Sequence, residues 1–377
     1  MNKRILILHA STGNGHRSAA LALEAVLKER GADVRVEDTL TYAPKGFRLW
    51  YAGGYEALVR RAPRLWGFLY RDSDRVSASF RFQTQLDLRF VSRLDAMITD
   101  WKPDWVVCTH SLPQPRLTLL RERGLKFHLG VVVTDLHPQW MWLRGDPDCF
   151  FVPEAWTEKR LLERLPSAVG KTLVTGIPVH SAFVRKHTRE EVRLAKNLDP
   201  AVPTLLLTAG GIGAGPFMEV MELLAALPIP AQVIVVCGRN QSLQDRLAAR
   251  LALLHNVGKV RISLQGHVSQ GEMASCMHAS DFVVGKPGGL TSSECMVAGC
   301  PMLIYSPFMI PGQEEQNAEA LVENGAGLLA QDMVSLSEYL VRLLTDADLR
   351  AQMQAKALAI AHPHAAEEIA EAILSSS

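Results

Sequence analysis

Two stretches in the second half of the chain carry most of its chemistry: Gly285-Lys-Pro-Gly-Gly-Leu-Thr-Ser-Ser-Glu294 and Pro311-Gly-Gln-Glu-Glu-Gln-Asn317. The first runs from an apolar strand, residues 281–285, through a glycine turn into a helix expected to begin near Thr291. Glycines let a backbone approach a phosphate closely, and the unpaired N–H groups of a helix N-terminus favour an anion there. Glu294, expected in the first helical turn, can accept hydrogen bonds from sugar hydroxyls. The second stretch puts Gln313, Glu314 and Asn317 at another strand-to-helix turn, a second cluster of hydroxyl and amide readers. Two such turns imply a site for a phosphorylated sugar.

A third glycine loop, Thr208-Ala-Gly-Gly-Ile-Gly-Ala-Gly215, follows an apolar strand and precedes a helix. Gly210, Gly211 and Gly213 make it compatible with phosphate. A dinucleotide site would want an acidic residue at the end of the next strand to hold a ribose. That strand ends Val236-Cys-Gly-Arg239-Asn240, which disfavours NAD and leaves Arg239 either near a phosphate or solvated. Gly266-His267 is a loop whose backbone can contact a base.

In the first half, Ser11-Thr-Gly-Asn-Gly-His16 joins the first strand to the first helix. His16 stands at the strand's carboxyl end, where an imidazole of near-neutral pKa can act as general base. A histidine that packs or caps a helix start fits the same position. Thr134-Asp135-Leu-His137-Pro-Gln-Trp140 follows the most apolar strand of this half, and Asp135 there can orient a histidine, bind an acceptor hydroxyl or cap a turn. Thr109-His110-Ser111 reads as structural, and Asp146-Pro-Asp148 reads as a turn and not a metal chelate.

The 377 residues exceed one core's usual size, so two domains are expected. With 48% apolar and 21% charged residues, a largely disordered chain is excluded. A net charge of +1 gives no global pull toward nucleic acid. Residues 42–93, however, carry a net +6, with Trp50, Tyr55, Arg60, Arg61, Arg64 and Trp66 among them. Arginine mixed with aromatics suits an anionic lipid surface, each basic residue adding about 1 kcal/mol of attraction. Phe82, Leu86, Phe90 and Leu94 recur at i, i+4 spacing, which predicts an amphipathic helix over 80–94 covering the core. The six cysteines form no Cys-x-x-Cys pair and no zinc spacing, so buried free thiols in a reducing compartment are expected. The N-terminus reads as a first strand and not a signal peptide, and no apolar run approaches the ~20 residues that span a bilayer. The expected location is cytoplasmic, with peripheral contact to the inner face of the cell membrane.

Short apolar runs alternate with helical patterns. Strands are predicted over 3–10, 32–38, 105–109, 129–134 and 172–175, then over 204–208, 232–237, 260–264, 281–285, 302–306 and 326–330. Helices are predicted over 17–30, 216–227 and 241–254. Such alternation implies parallel sheets with helices on both faces. A polar, proline-punctuated break at 177–203 divides two Rossmann-like domains, with ligands expected at the carboxyl ends of their strands. The expected domains are 1–180, a linker 181–203, 204–355, and a helix over 356–377 whose return to the first domain is left open.

With these residues in view, the chain resembles a GT-B glycosyltransferase, an α/β fold of two Rossmann-like domains with parallel sheets facing across a cleft. It is most similar to the monogalactosyldiacylglycerol synthases and the processive diacylglycerol glucosyltransferases of bacteria, and more distantly to the peptidoglycan GlcNAc transferase. Lys286-Pro-Gly-Gly-Leu-Thr-Ser-Ser-Glu294 with Pro311-Gly-Gln-Glu-x-x-Asn317 carries the resemblance, supported by Gly13-x-Gly-His16-Arg17, Thr134-Asp135, His137-x-x-Trp140 and Gly176-Ile-Pro-Val179. Asn14 stands where the family often has glycine. The resemblance implies an inverting transfer of a hexose from UDP-glucose or UDP-galactose to diacylglycerol, with no metal and no further cofactor. Lys-Pro-Gly-Gly, shared with the glucosyl-type relatives, leans toward glucose. Glu294 would hold the ribose, and the loops at 210–213 and at 288–291 (Gly288, Gly289, Leu290, Thr291) the diphosphate. Gln313 and Glu314 would read the sugar, supported by Asn317. His16 would be, or stand beside, the base, with Asp135 its partner or rival, and the 47–71 region would approach the membrane with Trp140 nearby.

Three other readings share parts of this pattern. A UDP-GlcNAc 2-epimerase would keep the UDP half but has no use for the basic aromatic segment. A transferase acting on a polyprenyl-linked or soluble acceptor would differ only in the first half. A nucleotide-sugar binder without catalysis would not need His16 and Asp135.

Overall fold

The computed structural model describes residues 2–54, 65, 67, 74, 78–184, 186–253 and 259–376. The chain divides into two compact units. One comprises Met1–Val179 with Ile310–Gln313 and His362–Ser377, the other His180–Met309 with Glu314–Ala361.

The first unit is built on a six-stranded sheet, every pairing parallel, in the order β2-β1-β3-β4-β5-β6. Its strands are β1 (Arg4–His9), β2 (Asp33–Asp38), β3 (Trp105–Cys108), β4 (His128–Val132), β5 (Cys149–Val152) and β6 (Thr172–Val174). Ile5 to Leu8 are all fully buried, because both faces of the sheet are covered and apolar residues need not alternate. Ile5 and Ile7 meet Leu23 and Leu27 of the helix Gly15–Glu29 and Ile369 and Ile373 of the helix Ala365–Ser375. Leu6 and Leu8 face the opposite layer with Leu94, Ile98 and Leu117.

The second unit has its own six-stranded parallel sheet, in the order β12-β11-β10-β7-β8-β9. Its strands are β7 (Thr204–Thr208), β8 (Ala231–Val236), β9 (Val260–Gln265), β10 (Phe282–Gly285), β11 (Met302–Tyr305) and β12 (Gly327–Ala330). This is the doubly wound dinucleotide-fold order, whose direction of winding reverses between β7 and β10; in the first sheet it reverses between β1 and β3. Crevices open at the carboxyl ends of strands at such reversals, so the loops after β1 and β3, and after β7 and β10, are where ligands are expected.

Three local expectations are corrected. The i, i+4 stripe does not run through 80–94: helix Ala78–Phe90 ends, and a separate helix Leu94–Trp101 begins after a turn. Phe82 is 65% exposed while Asp87 is buried, because Asp87 answers Arg144 from the loop after β4 at 2.6 Å. The polar break at 177–203 contains the helix Arg189–Ala195, closed by a capping box between Thr188 and Glu191. Its Arg193 is buried on Asp281 at 2.6 Å, so part of the break is an integral piece of the second unit. Strand β5 is not among the strands the sequence predicts, because Cys149-Phe-Phe-Val152 is a four-residue run with no flanking periodicity. All six cysteines are free, five of them buried. Among the described residues, no helix is long and apolar enough to cross a membrane.

Candidate functional site

In the first unit, the loop after β1 carries Ser11 to Asn14, and His16 is the second residue of the helix that follows. Asp38 at the end of β2 holds this loop by accepting from Ser11 Oγ at 2.7 Å and Ser11 N at 3.3 Å. From the far side of the winding reversal, Thr109 reaches across: its Oγ1 donates to the His16 carbonyl at 2.9 Å. The Thr109 carbonyl lies 2.9 Å from His16 Nδ1, and Thr134 Oγ1 is also 2.9 Å from it. A carbonyl oxygen only accepts, so the ring proton resides on Nδ1. Nε2 is thereby left as the basic nitrogen. Burial pushes the His16 pKa below the usual histidine range, opposed by the charge of Asp135 and the bond to Thr109.

Asp135 lies in the same loop cluster, but no hydrogen bond joins it to His16. Its Oδ2 accepts from Trp142 Nε1 at 2.9 Å, and its influence on the imidazole is one of charge. His110, buried after β3, packs against the His16 ring with centroids 4.6 Å apart. His137 points elsewhere, with Nε2 3.5 Å from Asp74 and Nδ1 3.4 Å from Arg160. Burial raises and the bonds from His137 and Arg164 lower the Asp74 pKa, the net being about 2. Trp140 is half-buried against the first unit's core. Trp50 falls in the single π-turn Leu49–Gly53. Tyr55, Arg60, Arg61, Arg64 and Trp66 lie outside the described residues.

The Asp146-Pro-Asp148 turn is engaged by cations: Lys171 reaches Asp146 at 2.6 Å and Arg121 reaches Asp148 at 2.7 Å. Among the described residues, no group of three or more His, Cys, Asp or Glu side chains is placed to hold a metal ion.

In the second unit, the loop after β7 carries Gly210, Gly211 and Gly213. Gly213 has φ of 59°, and a Cβ there would collide with the Cys237 carbonyl. Only glycine fits, since the loop after β7 must lie against the end of β8. Gly211 accepts from the Arg239 backbone N–H at 3.1 Å, and Asn240 Nδ2 donates to the Gly213 carbonyl at 2.8 Å. Arg239 thus contributes its backbone to the shape of the loop.

Across the reversal, β10 ends at Gly285, where a side chain would strike the Thr208 carbonyl. The helix that follows is Gly289–Val297, two residues earlier than the sequence reading placed it, with Gly288 at the N-cap and no capping side chain. Gly289, Leu290 and Thr291 form its first turn. Glu294 is therefore its sixth residue, in the second turn and not the first. It is 6% exposed, and burial raises its pKa to about 8.

Lys286, between β10 and this helix, opens the Lys-Pro-Gly-Gly motif and is a candidate site residue that the motif alone does not assign. Its Nζ lies 2.5 Å from Glu314 Oε1, and its Cε lies 3.5 Å from where a Cβ on Gly210 would be. Its position one residue beyond a strand at the winding reversal was the available signal. Asn317 Nδ2 donates to the Pro287 carbonyl at 3.0 Å, while its Oδ1 is buried with no partner among the described residues. So Gly210, Lys286, Gly288, Glu314 and Asn317 come together as one cluster. Gln313 groups with the first unit and not with Glu314, and its Oε1 is buried with no partner among the described residues.

The family described as "Monogalactosyldiacylglycerol (MGDG) synthase" matches residues 16–179, and the "Glycosyltransferase family 28 C-terminal domain" matches residues 204–373. A probable monogalactosyldiacylglycerol synthase 3, chloroplastic, of Oryza sativa subsp. japonica is 30% identical over 388 residues, covering 97% of this chain and 73% of that protein. A processive diacylglycerol beta-glucosyltransferase of Bacillus pumilus is 26% identical, covering 100% of this chain and 96% of that protein. Among solved structures, MurG of Acinetobacter baumannii superposes with a TM-score of 0.65 at 17% identity, covering 99% of this chain and 100% of the other. The last likeness is one of fold, and it makes the two-sheet α/β architecture GT-B.

Proposed function

The chain belongs to the monogalactosyldiacylglycerol synthase family of glycosyltransferases, and from that premise we propose how its residues divide the work of transfer. The reaction is hexosyl transfer from a UDP-sugar to diacylglycerol. His16 is the general base: with Nδ1–H committed to the Thr109 carbonyl, Nε2 takes the proton of the acceptor hydroxyl as its oxygen attacks the anomeric carbon. That single hydrogen bond carries the reading, because it fixes which nitrogen is basic. The C–O bond to the β-phosphate breaks as the new glycosidic bond forms, inverting the anomeric carbon, and UDP leaves with the electron pair. Asp135, tethered to Trp142, favours the imidazolium that results.

The departing diphosphate gains negative charge. The uncapped N-terminus at Gly289, Leu290 and Thr291, the backbone around Gly210, Gly211 and Gly213, and the Lys286 ammonium supply the opposing dipoles and charge, with no metal required. Arg239 shapes that loop, and Gly288 leaves room beside it. Glu294 holds the ribose, and Gln313, Glu314 and Asn317 read the sugar. Trp50, Tyr55, Arg60, Arg61, Arg64, Trp66 and Trp140 bring the protein to the lipid surface that presents diacylglycerol, so the protein works peripherally on the inner face of the cell membrane.

The test is UDP release by the purified protein given UDP-glucose or UDP-galactose, with and without diacylglycerol in anionic vesicles. Lipid-dependent release with a glycolipid product is expected, and the more active donor names the sugar. UDP release that ignores diacylglycerol would overturn the acceptor assignment.

A further inference from the structure

His110 is a second imidazole in the first unit that the division of labour above leaves unused. It is 6% exposed, in the loop that follows β3. Its Nδ1 accepts the Leu112 backbone N–H at 3.0 Å, so its proton resides on Nε2. Nε2 lies 3.1 Å from Thr12 Oγ1 and donates to it. The His110 ring stands at 78° to the His16 ring, with centroids 4.6 Å apart. Thr12 belongs to the loop that delivers the chain into the helix bearing His16. One side chain thus grips the loop that carries the base and abuts the base itself.

The bond from Leu112 requires a neutral ring, since Nδ1 can accept only while it carries no proton, whereas the donation from Nε2 to Thr12 does not. A protonated His110 would lose the Leu112 N–H and place a cation against His16. The titratable and charged groups that face or act on the pair are His9, Asp135 and Arg144, with the Tyr51 ring edge-on to His110 at a centroid distance of 6.5 Å. Burial is the dominant influence on each imidazole, and for His110 it drives the pKa well below the usual range.

We propose that His110 is a positioning residue for the transfer step: a neutral imidazole that, through Thr12 and through ring contact, fixes the orientation of His16 so that Nε2 faces the acceptor hydroxyl. The proposal rests on the reading of His16 as general base. It differs from a packing role in what it demands of a replacement. Phenylalanine keeps a flat buried ring and loses both hydrogen bonds. Glutamine keeps a donor where Nε2 stands.

The experiment compares His110→Phe, His110→Gln, His110→Ala and Thr12→Val with the parent and with His16→Ala. It reads kcat, KM for the UDP-sugar, UDP affinity by calorimetry and the pH dependence of kcat/KM. His110→Phe and Thr12→Val are expected to lower kcat by up to about 100-fold, the scale of a catalytic group misplaced by about 1 Å, with UDP affinity unchanged. His110→Gln should recover most of that loss. In His110→Ala, water reaches the flank of His16, and the acidic limb of kcat/KM should move up toward the ordinary value of about 6.5. Parent-like kcat in Thr12→Val and His110→Phe would overturn the proposal, as would a loss that glutamine does not relieve with the acidic limb unmoved. Full turnover in His16→Ala would instead sink the base assignment. Loss in His16→Ala with parent-like His110 and Thr12 variants would sink only the role of His110. Thr12→Val leaves the buried ring in place, so it decides the matter even if His110→Ala does not fold.

Discussion

Lys286 Nζ lies 2.5 Å from Glu314 Oε1, with the glutamate side chain 4% exposed and the lysine 20%. The pair ties the loop after β10 to the start of the helix Glu315–Glu323, so two motifs separated by 28 positions in sequence share one charge arrangement. Lys286→Met removes the cation from a buried carboxylate and from the edge of the Gly210 loop. A stability loss of roughly 2 kcal/mol is expected, below the range for fully buried pairs because the lysine is partly solvated. UDP affinity should fall with it, while uridine affinity changes little because uridine has no diphosphate. Lys286→Arg should retain both. Thermal melts with calorimetry on UDP and uridine decide this, and equal losses for the two ligands would remove the ammonium from the diphosphate.

Glu294, raised to about 8 by burial, is largely protonated in the free protein at pH 7. If the ribose hydroxyls are received by the carboxylate, binding must first remove that proton. Affinity for uridine should then rise by up to about tenfold per pH unit from pH 6 and level off above about 8. Glu294→Gln should bind more weakly and show a flat profile. The sign for stability is opposite: the contribution is complete below the ordinary carboxyl value and is lost as pH rises through about 8. Calorimetric titration with uridine over this range, beside melting curves without ligand, measures both slopes. A flat uridine profile in the parent would mean that Glu294 binds as the neutral acid.

The segment that holds Arg60, Arg61 and Arg64 lies outside the described residues, and its role rests on composition. Replacing all three with glutamine should weaken binding to anionic vesicles by roughly 100-fold at low salt, at about 1 kcal/mol per charge. The difference should shrink as salt is added. Co-sedimentation with vesicles of varied anionic content measures it, and salt-independent binding equal to the parent's would assign the segment to packing.

The two donor-side turns were legible because steric need leaves a mark in sequence. Gly213 and Gly285 stand where a Cβ would meet a neighbouring strand's carbonyl, so glycine is fixed there and its spacing shows. The parallel sheets were legible for a related reason: with both faces covered, the centres of β1 (Ile5 to Leu8) and β7 (Leu205 to Leu207) are apolar without alternation. What escaped was set by partners distant in the chain. Nothing near Asp87 announces that Arg144 will bury it, and nothing in the charged Arg189–Ala195 helix says that Arg193 will turn inward to Asp281. The place of Lys286, one residue beyond β10, is legible in the sequence, but its partner Glu314, 28 positions on, is not. The tautomer of His110 is set by a backbone N–H two residues on, a bond that residue types do not encode.

The Asp87–Arg144 pair gives the sharpest test of that hidden layer. Arg144 Nη1 donates to Asp87 Oδ2 at 2.6 Å, with the side chains 4% and 1% exposed, and Arg144 Nη2 donates to the Ser111 carbonyl at 3.3 Å beside His110. Burial raises the Asp87 pKa and Arg144 opposes the rise. Arg144→Met takes away that opposition and leaves the carboxylate to be buried uncompensated or to take up a proton, at a cost of about 3–5 kcal/mol. Changing both, Asp87→Leu with Arg144→Met, removes the charge that would be stranded, and should recover more than half of the loss. Chemical denaturation of the parent, both single variants and the double variant measures the cycle. A double variant as unstable as Arg144→Met alone would show that the arginine stabilises the loop through the Ser111 carbonyl and its packing, and not through Asp87.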